Sequence, residues 1–146
     1  MNMNINIPEQ LKTEALQIKE LLQEMNKPKN ITHIVKSFED VCIILNINLD
    51  YSHYNSKISI ATEKLELIYK VLNQGWKPNW SNSNEYKYFP YFKMSPFGFD
   101  DAGCGIWVTV SDAGSRLCGK TDTIAEYTGR QFEDLYRDFM EISPTI

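Results

Sequence analysis

The side chains suited to chemistry in this chain are few and scattered. Cys42, Cys104 and Cys118 are its only thiols, and His33 and His53 its only imidazoles. Neither histidine has a second one four residues away, the spacing that would turn two metal ligands to one helix face. No C-x-x-C pair occurs, and no histidine or basic cluster adjoins Cys104 to favour its thiolate. Asp100, Asp101 and Asp112 offer oxygens to a hard cation, but Asp100-Asp-Ala-Gly-Cys-Gly105 does not match a calcium loop, and turn formation accounts for it. Gly98, Gly103 and Gly105 do not lead from a strand into a helix as a phosphate-binding loop does, so they read as turn and bulge positions. The expectation is no catalytic residue, no metal site and no cofactor.

Binding chemistry is better represented. Nine of the eighteen aromatic residues lie between Trp76 and Phe99, where they either build the core or make an adhesive surface. Along the extended stretch Tyr86–Met94, alternation turns Tyr86, Tyr88, Pro90 and Phe92 one way and Lys87, Phe89, Tyr91 and Lys93 the other. Rings interleaved with lysines suit single-stranded nucleic acid, where base stacking contributes about 1–3 kcal/mol per ring. Pro90 cannot donate to a ladder and so marks an edge or a bulge, and an edge can accept a partner's strand. A core strand, or a lysine-guarded edge, is the structural alternative. Trp76-Lys-Pro-Asn-Trp80 adds two indoles of the kind that anchor interfaces. The candidate binding residues are Trp76, Trp80, Lys87, Tyr91, Lys93 and Arg116.

Composition narrows the classes. With 146 residues, 42% apolar and 23% charged, the chain suits a single globular domain. Residues 61–99 carry five basic and three acidic side chains, and residues 100–146 carry four and nine. Duplex DNA binding needs a concentrated basic face, and none is visible. The apolar runs fall well short of the roughly 18 residues needed to cross a membrane. Free thiols and the absence of a signal-peptide pattern point to the cytoplasm.

These residues must be positioned by an α+β fold. Leu11, Ala15, Ile18, Leu22 and Met25 recur at steps of four and three, predicting a helix over about 8–26 that Pro28 stops. Its stripe suits packing on the domain's core or a self-pairing seam. Ser37 caps a second helix over about 37–46, with Asp40 at its third position. A third, over about 61–74, buries Ala61, Leu65, Ile68 and Leu72 and ends in a Schellman turn at Gly75, with Trp76 packed back on Val71. A fourth spans about 122–140, capped by Thr121, with Ile124, Thr128, Phe132, Leu135 and Phe139 inside. Glu126, Arg130, Glu133, Arg137 and Glu141 form its solvated ladder. Three strands over about 86–94, 104–110 and 115–119 form an antiparallel meander, with a type I turn at Ser95–Gly98. Residues 1–7 read as a disordered leader and 8–146 as a single domain.

Two stretches resemble known sequences. Trp76-Lys-Pro-Asn-Trp-Ser-Asn-Ser-Asn-Glu-Tyr-Lys-Tyr-Phe-Pro-Tyr-Phe92 is one; Ser115-Arg-Leu-Cys118 followed by Ala125-Glu-Tyr-Thr-Gly-Arg-Gln-Phe-Glu-Asp-Leu-Tyr136 is the other. Both resemble small uncharacterised proteins of phages and prophages of Bacteroides-type bacteria, as does the Ser37-Phe-Glu-Asp40 helix start. Gly119 departs from the pattern where an aromatic residue is expected, and Thr128 where alanine is usual. The resemblance implies an accessory role in the host cytoplasm and carries no activity or catalytic residue with it.

The sequence thus predicts a non-catalytic accessory protein that binds a phage or host protein. The alternatives are single-stranded nucleic-acid binding through the aromatic and lysine strand, and an enzyme with an unrecognised site. A homodimer through the first helix is a further expectation.

Overall fold

Residues 8–26 and 30–141 are described by a computed structural model, and the chain divides into two compact units, Met1–Asn30 and Ile31–Ile146. The expected leader and the Pro28 stop lie outside the described residues. In the first unit, helix α1 (Glu9–Asn26) follows the predicted periodicity. Of the stripe read as packing on a core or pairing with a second copy, Leu11, Ile18, Leu22 and Met25 are exposed within this unit. A lone amphipathic helix has nothing of its own to bury such a stripe against.

The second unit opens with a short helix, α2 (Ile31–Ile34), that periodicity did not reveal. Four residues are too few to express a 3.6-residue repeat. Helix α3 (Phe38–Leu45) starts at the predicted cap. The Asp40 amide donates to Ser37 Oγ at 3.3 Å and the Ser37 amide donates to Asp40 Oδ2 at 2.9 Å, a full capping box. Amide hydrogen bonds from Lys36 and Ser37 hold the Asp40 carboxyl below its ordinary pKa.

Helix α4 (Lys57–Leu72) is capped by Ser56 and starts a turn earlier than its apolar stripe implied. Ala61, Leu65, Ile68 and Leu72 are buried as predicted, and the last three meet Val35, Val41, Phe97, Leu117, Ile124, Phe132 and Tyr136 in one core. Each such side chain contributes about 1.5–3 kcal/mol on full burial. The helix ends differently from expectation. Gln74 already takes a left-handed conformation (φ 50°) before Gly75 (φ 81°), and Trp76 is carried to a cleft wall.

Strands β1 (Lys87–Met94) and β2 (Phe97–Trp107) form an antiparallel hairpin. Met94 pairs with Phe97, so the turn spans Met94–Phe97 with a cis Ser95–Pro96 bond in place of the type I turn over Ser95–Gly98. Four residues of β2, 100–103, stand opposite Tyr91 alone, because Pro90 pairs with Cys104 and Phe92 with Phe99. That is a large bulge, and Gly103 within it takes φ 126°, open mainly to glycine.

The third strand contracts to one antiparallel bridge on the far side of β1, where Tyr88 and Gly119 exchange amide hydrogen bonds of 3.1 and 2.8 Å. The reason lies in β1. The next residue facing that side is Pro90, which has no N–H to extend the ladder. At the other end Thr121 leaves the sheet to cap helix α5 (Asp122–Gln131). The segment expected over 115–119 therefore turns on itself, the Leu117 amide donating to the Gly114 carbonyl at 2.8 Å.

The predicted fourth helix breaks at Phe132 into α5 and α6 (Glu133–Phe139). A Cβ at Gly129 would lie 2.6 Å from both Pro90 and the Phe99 ring, so α5 rests on the hairpin there at glycine distance. The break also redirects Glu133. Expected in a solvated ladder, it accepts from the Phe99 amide at 2.9 Å and pairs with Arg137 at 3.5 Å. The architecture is α+β, with the hairpin packed by α5 and α6. Among the described residues no helix is long and apolar enough to cross a membrane.

Candidate functional site

Lys87 organises the region around the aromatic segment, and from inside. It is fully buried. Its ammonium donates to the carbonyls of Asn79 (2.7 Å), Glu85 (2.8 Å) and Val108 (2.8 Å), lies 3.3 Å from the Asn82 carbonyl, and pairs with Glu85 Oε1 at 3.3 Å. The Trp80 ring centroid lies 5.3 Å away. Glu85 in turn accepts from the Asn79 amide at 2.7 Å, which leads the causes holding its carboxyl below the ordinary value. Asn79 and Asn82 close turns on the amides of Ser81 and Asn84. The Ser- and Asn-rich stretch is thus wound around one lysine. Lys87 cannot serve as the surface cation expected of it: an ammonium already surrounded by carbonyls has no donor for a phosphate.

What this winding presents is Trp80. Its ring lies 6.2 Å from Trp107, Trp107 stacks on Phe89 at 4.1 Å, and Phe89 meets Tyr91 edge-on at 5.6 Å. A row of four rings crosses one face of the hairpin, much of it satisfied by ring–ring contact. Of the aromatic segment, Phe97 is buried, while Tyr86 and Tyr91 are exposed. The segment is therefore part core and part surface.

Two cavities of about 490 Å³ each flank this row. The first gathers three of the six predicted binding residues, Trp76, Trp80 and Arg116. Lys70, Lys77 and Glu66 join them, giving three cations against one carboxylate. Arg116, 75% exposed at its side chain, reaches Glu66 Oε1 at 3.0 Å, so Glu66 pairs across the cleft. The cleft floor is fixed by buried Asn73, whose amide donates to the Cys118 carbonyl and whose oxygen accepts from the Lys120 amide, both at 2.9 Å. These bonds tie the end of α4 to the segment carrying Arg116.

The second cavity is an apolar groove lined by Phe89, Tyr91, Met94, Trp107, Leu117 and Phe139 among others. It holds Tyr91 from the predicted set. Lys93 is exposed on β1 and lines neither cavity. The Asp112–Leu117 turn separates cleft from groove, and a Cβ at Gly114 would come within 3.5 Å of the Trp107 ring.

Compared with family models, curated proteins and solved structures, the chain matches none.

The ionisable groups near the cleft are poorly placed for nucleophilic work. Burial pushes the Cys118 thiol up to about 11, and burial likewise raises Cys104. Tyr69 and Tyr136 share a buried 2.8 Å hydrogen bond, and burial raises both phenols. Among the described residues no three His, Cys, Asp or Glu side chains come together as a metal site would require.

Sequence reasoning missed Lys70, Lys77 and Glu66 as cleft residues, and Trp107 and Met94 as groove residues. Only Lys77 carried a signal, lying inside the Trp76–Trp80 repeat. The others meet through tertiary packing.

Proposed function

We propose that this is a non-catalytic binding protein whose Trp76–Trp80–Arg116 cleft takes an acidic segment of a protein partner, with a bulky apolar side chain seated between the indoles. One observation carries the reading: two half-exposed tryptophans open into the same cleft as Arg116, Lys70 and Lys77. Tryptophan and arginine supply a large share of interface hot spots, and the surplus of positive charge selects an acidic partner. The raised thiols support a role without covalent chemistry. The resemblance of Trp76–Phe92 and Ala125–Tyr136 to phage and prophage proteins supports a phage or host protein as partner, in the host cytoplasm.

Selection of a displayed random-peptide library tests this. Sequences that combine carboxylates with an aromatic or aliphatic residue are expected. Their affinity should fall about tenfold or more with Trp80→Ala or Arg116→Glu. Enriched peptides that bind both variants as well as the wild type refute the assignment.

A second reading, single-stranded nucleic-acid binding, draws on the row Trp80–Trp107–Phe89–Tyr91. The burial of Lys87 weighs against it, as does the stacking of Phe89 on Trp107, since a face used internally is closed to a base. Salt-sensitive binding of a labelled oligonucleotide that Lys93→Ala weakens would favour it.

The exposed stripe of α1 supports a third element of the proposal, pairing with a second copy of the chain. With Leu11, Ile18 and Met25 at d positions and Ala15 and Leu22 at a, Glu14 falls at g and Lys12 and Lys19 at e. Parallel helices set Glu14 beside the partner copy's Lys19, whereas antiparallel helices set Lys12 near that second Lys19. Charge complementarity therefore favours a parallel pair. Leu11→Glu with Leu22→Glu should leave a folded monomer by sedimentation, and a wild type that stays monomeric at high concentration removes the idea.

A further inference from the structure

The Asp112–Leu117 turn does not close the cleft off from the groove. Between the turn and α4 runs a crevice of about 20 Å³, lined by Thr62, Glu66, Gly114, Arg116, Leu117 and Phe139 among others. Glu66 and Arg116 also line the cleft, and Gly114, Leu117 and Phe139 also line the groove. Thr62 and Glu66 stand one helical turn apart and form the α4 wall. The 3.0 Å pair of Arg116 with Glu66 therefore belongs to cleft and crevice alike.

The two ends of this track differ in charge. In the cleft an incoming carboxylate meets Lys70, Lys77 and Arg116, against Glu66 alone. In the groove it meets no cation among the lining residues, and Asp112 repels it. An uncharged apolar side chain is the better match there. Tyr91 and Met94 are 49% and 55% exposed, above buried Leu117 and Tyr136. Exposed apolar surface around a groove is the kind a partner covers, and methionine adapts to what it receives. We infer that the acidic segment proposed for the cleft continues over the crevice and seats a second apolar side chain in the groove, an extension that stands only if the cleft assignment stands. The crevice has room for about one water. The residue crossing it is therefore glycine, alanine or serine, and Glu66 disfavours an acid at that place. The partner segment thus has a fixed order: a carboxylate-rich stretch with its bulky residue, a small residue, then an uncharged apolar anchor. Because both anchors lie on one chain, the second binds at the high effective concentration that the first creates.

Parallel selections of a displayed random-peptide library on wild type and on Met94→Glu test this, with Trp80→Ala as the reference for the cleft. Met94 is exposed, so its replacement leaves the core intact. If circular dichroism shows that variant unfolded, Tyr91→Asp takes its place. Wild type should enrich peptides carrying the acidic stretch, a small residue and a separate apolar anchor; Met94→Glu should keep the acidic stretch and lose the anchor. For a synthetic peptide of the wild-type consensus, Met94→Glu should lower affinity about tenfold. Removing the anchor from the peptide should do the same on wild type and almost nothing on Met94→Glu, because the two changes delete one contact. Leucine in place of the small residue should weaken binding severalfold. Affinity that falls with Trp80→Ala but ignores both Met94→Glu and loss of the anchor overturns the inference and leaves the cleft assignment standing. Affinity that falls with Met94→Glu but not with Trp80→Ala overturns both, as does a selection that enriches no peptide.

Discussion

Replacing Lys87 by methionine keeps an unbranched side chain one atom shorter and removes its charge and all its donors. In the folded protein three carbonyl oxygens, of Asn79, Glu85 and Val108, lose hydrogen bonds of 2.7–2.8 Å, and Glu85 loses its buried counter-ion at 3.3 Å. Each charge-assisted bond is worth about 1.5–3 kcal/mol. The full sum is not realised, because residues 79–85 are largely at the surface and can reopen to water. Loss of one partner of a buried charged network costs about 3–5 kcal/mol, the range expected here. That is a large part of a typical stability of about 5–15 kcal/mol. For a chain of this size it lowers Tm by roughly 10–20 °C. Urea titration followed by tryptophan fluorescence reads the change directly, since Trp80 and Trp107 both lie close to the affected loop. Lys93→Met on the same strand is the control, expected within about 0.5 kcal/mol of wild type because its side chain is exposed. If the two variants are equally stable, Lys87 is not the hub described and the loop around Trp80 is held by something else.

Gly129→Ala should destabilise by about 1–3 kcal/mol despite the higher helix propensity of alanine, because the new methyl meets Pro90 and Phe99 at 2.6 Å; a thermal melt at or above wild type contradicts that packing. The Asp40 carboxyl closes the capping box, so Asp40→Ala should lower the urea midpoint at neutral pH, and an unchanged midpoint contradicts that role. Burial raises the Tyr51 phenol to about 12 and the Cys118 thiol to about 11, from ordinary values of 10.0 and 9.0. The unfolded chain releases these protons first, so stability is intact below about pH 9 and falls as pH climbs toward 12. Tyr51→Phe should flatten part of that decline in urea midpoints measured from pH 8 to 11.5, and an unchanged slope counts against the burial of this phenol.

Much of the secondary structure was legible in the residues. Ser37, Ser56 and Thr121 cap helices through local hydrogen bonds that need only a few neighbouring residues, and two of the three were read in advance. The stripe Ala61, Leu65, Ile68 and Leu72 was equally plain, since burial of one helix face imposes the 3.6-residue period wherever the partner lies. Pro90 announced that β1 would have a defective edge. Its effect, a third strand cut to the Tyr88–Gly119 bridge, depended on which side of β1 that edge faced.

Alternation assigned Lys87 to the same face as Phe89 and Tyr91 and could not say whether that face met water. Burial is settled by what covers a face, and here residues 79–85 fold back over the lysine and take its donors. The cleft has the same origin: Trp76 and Trp80 are neighbours in sequence, but Glu66 and Arg116 stand fifty residues apart and meet only because Asn73 fastens the end of α4 to the Cys118–Lys120 segment. Local hydrogen bonding and periodic burial are written residue by residue, so the chain alone determined its longer helices, the strand Lys87–Met94 and the aromatic character of its middle. Which rings and charges share a surface is a matter of long-range packing, and only the tertiary structure decided it.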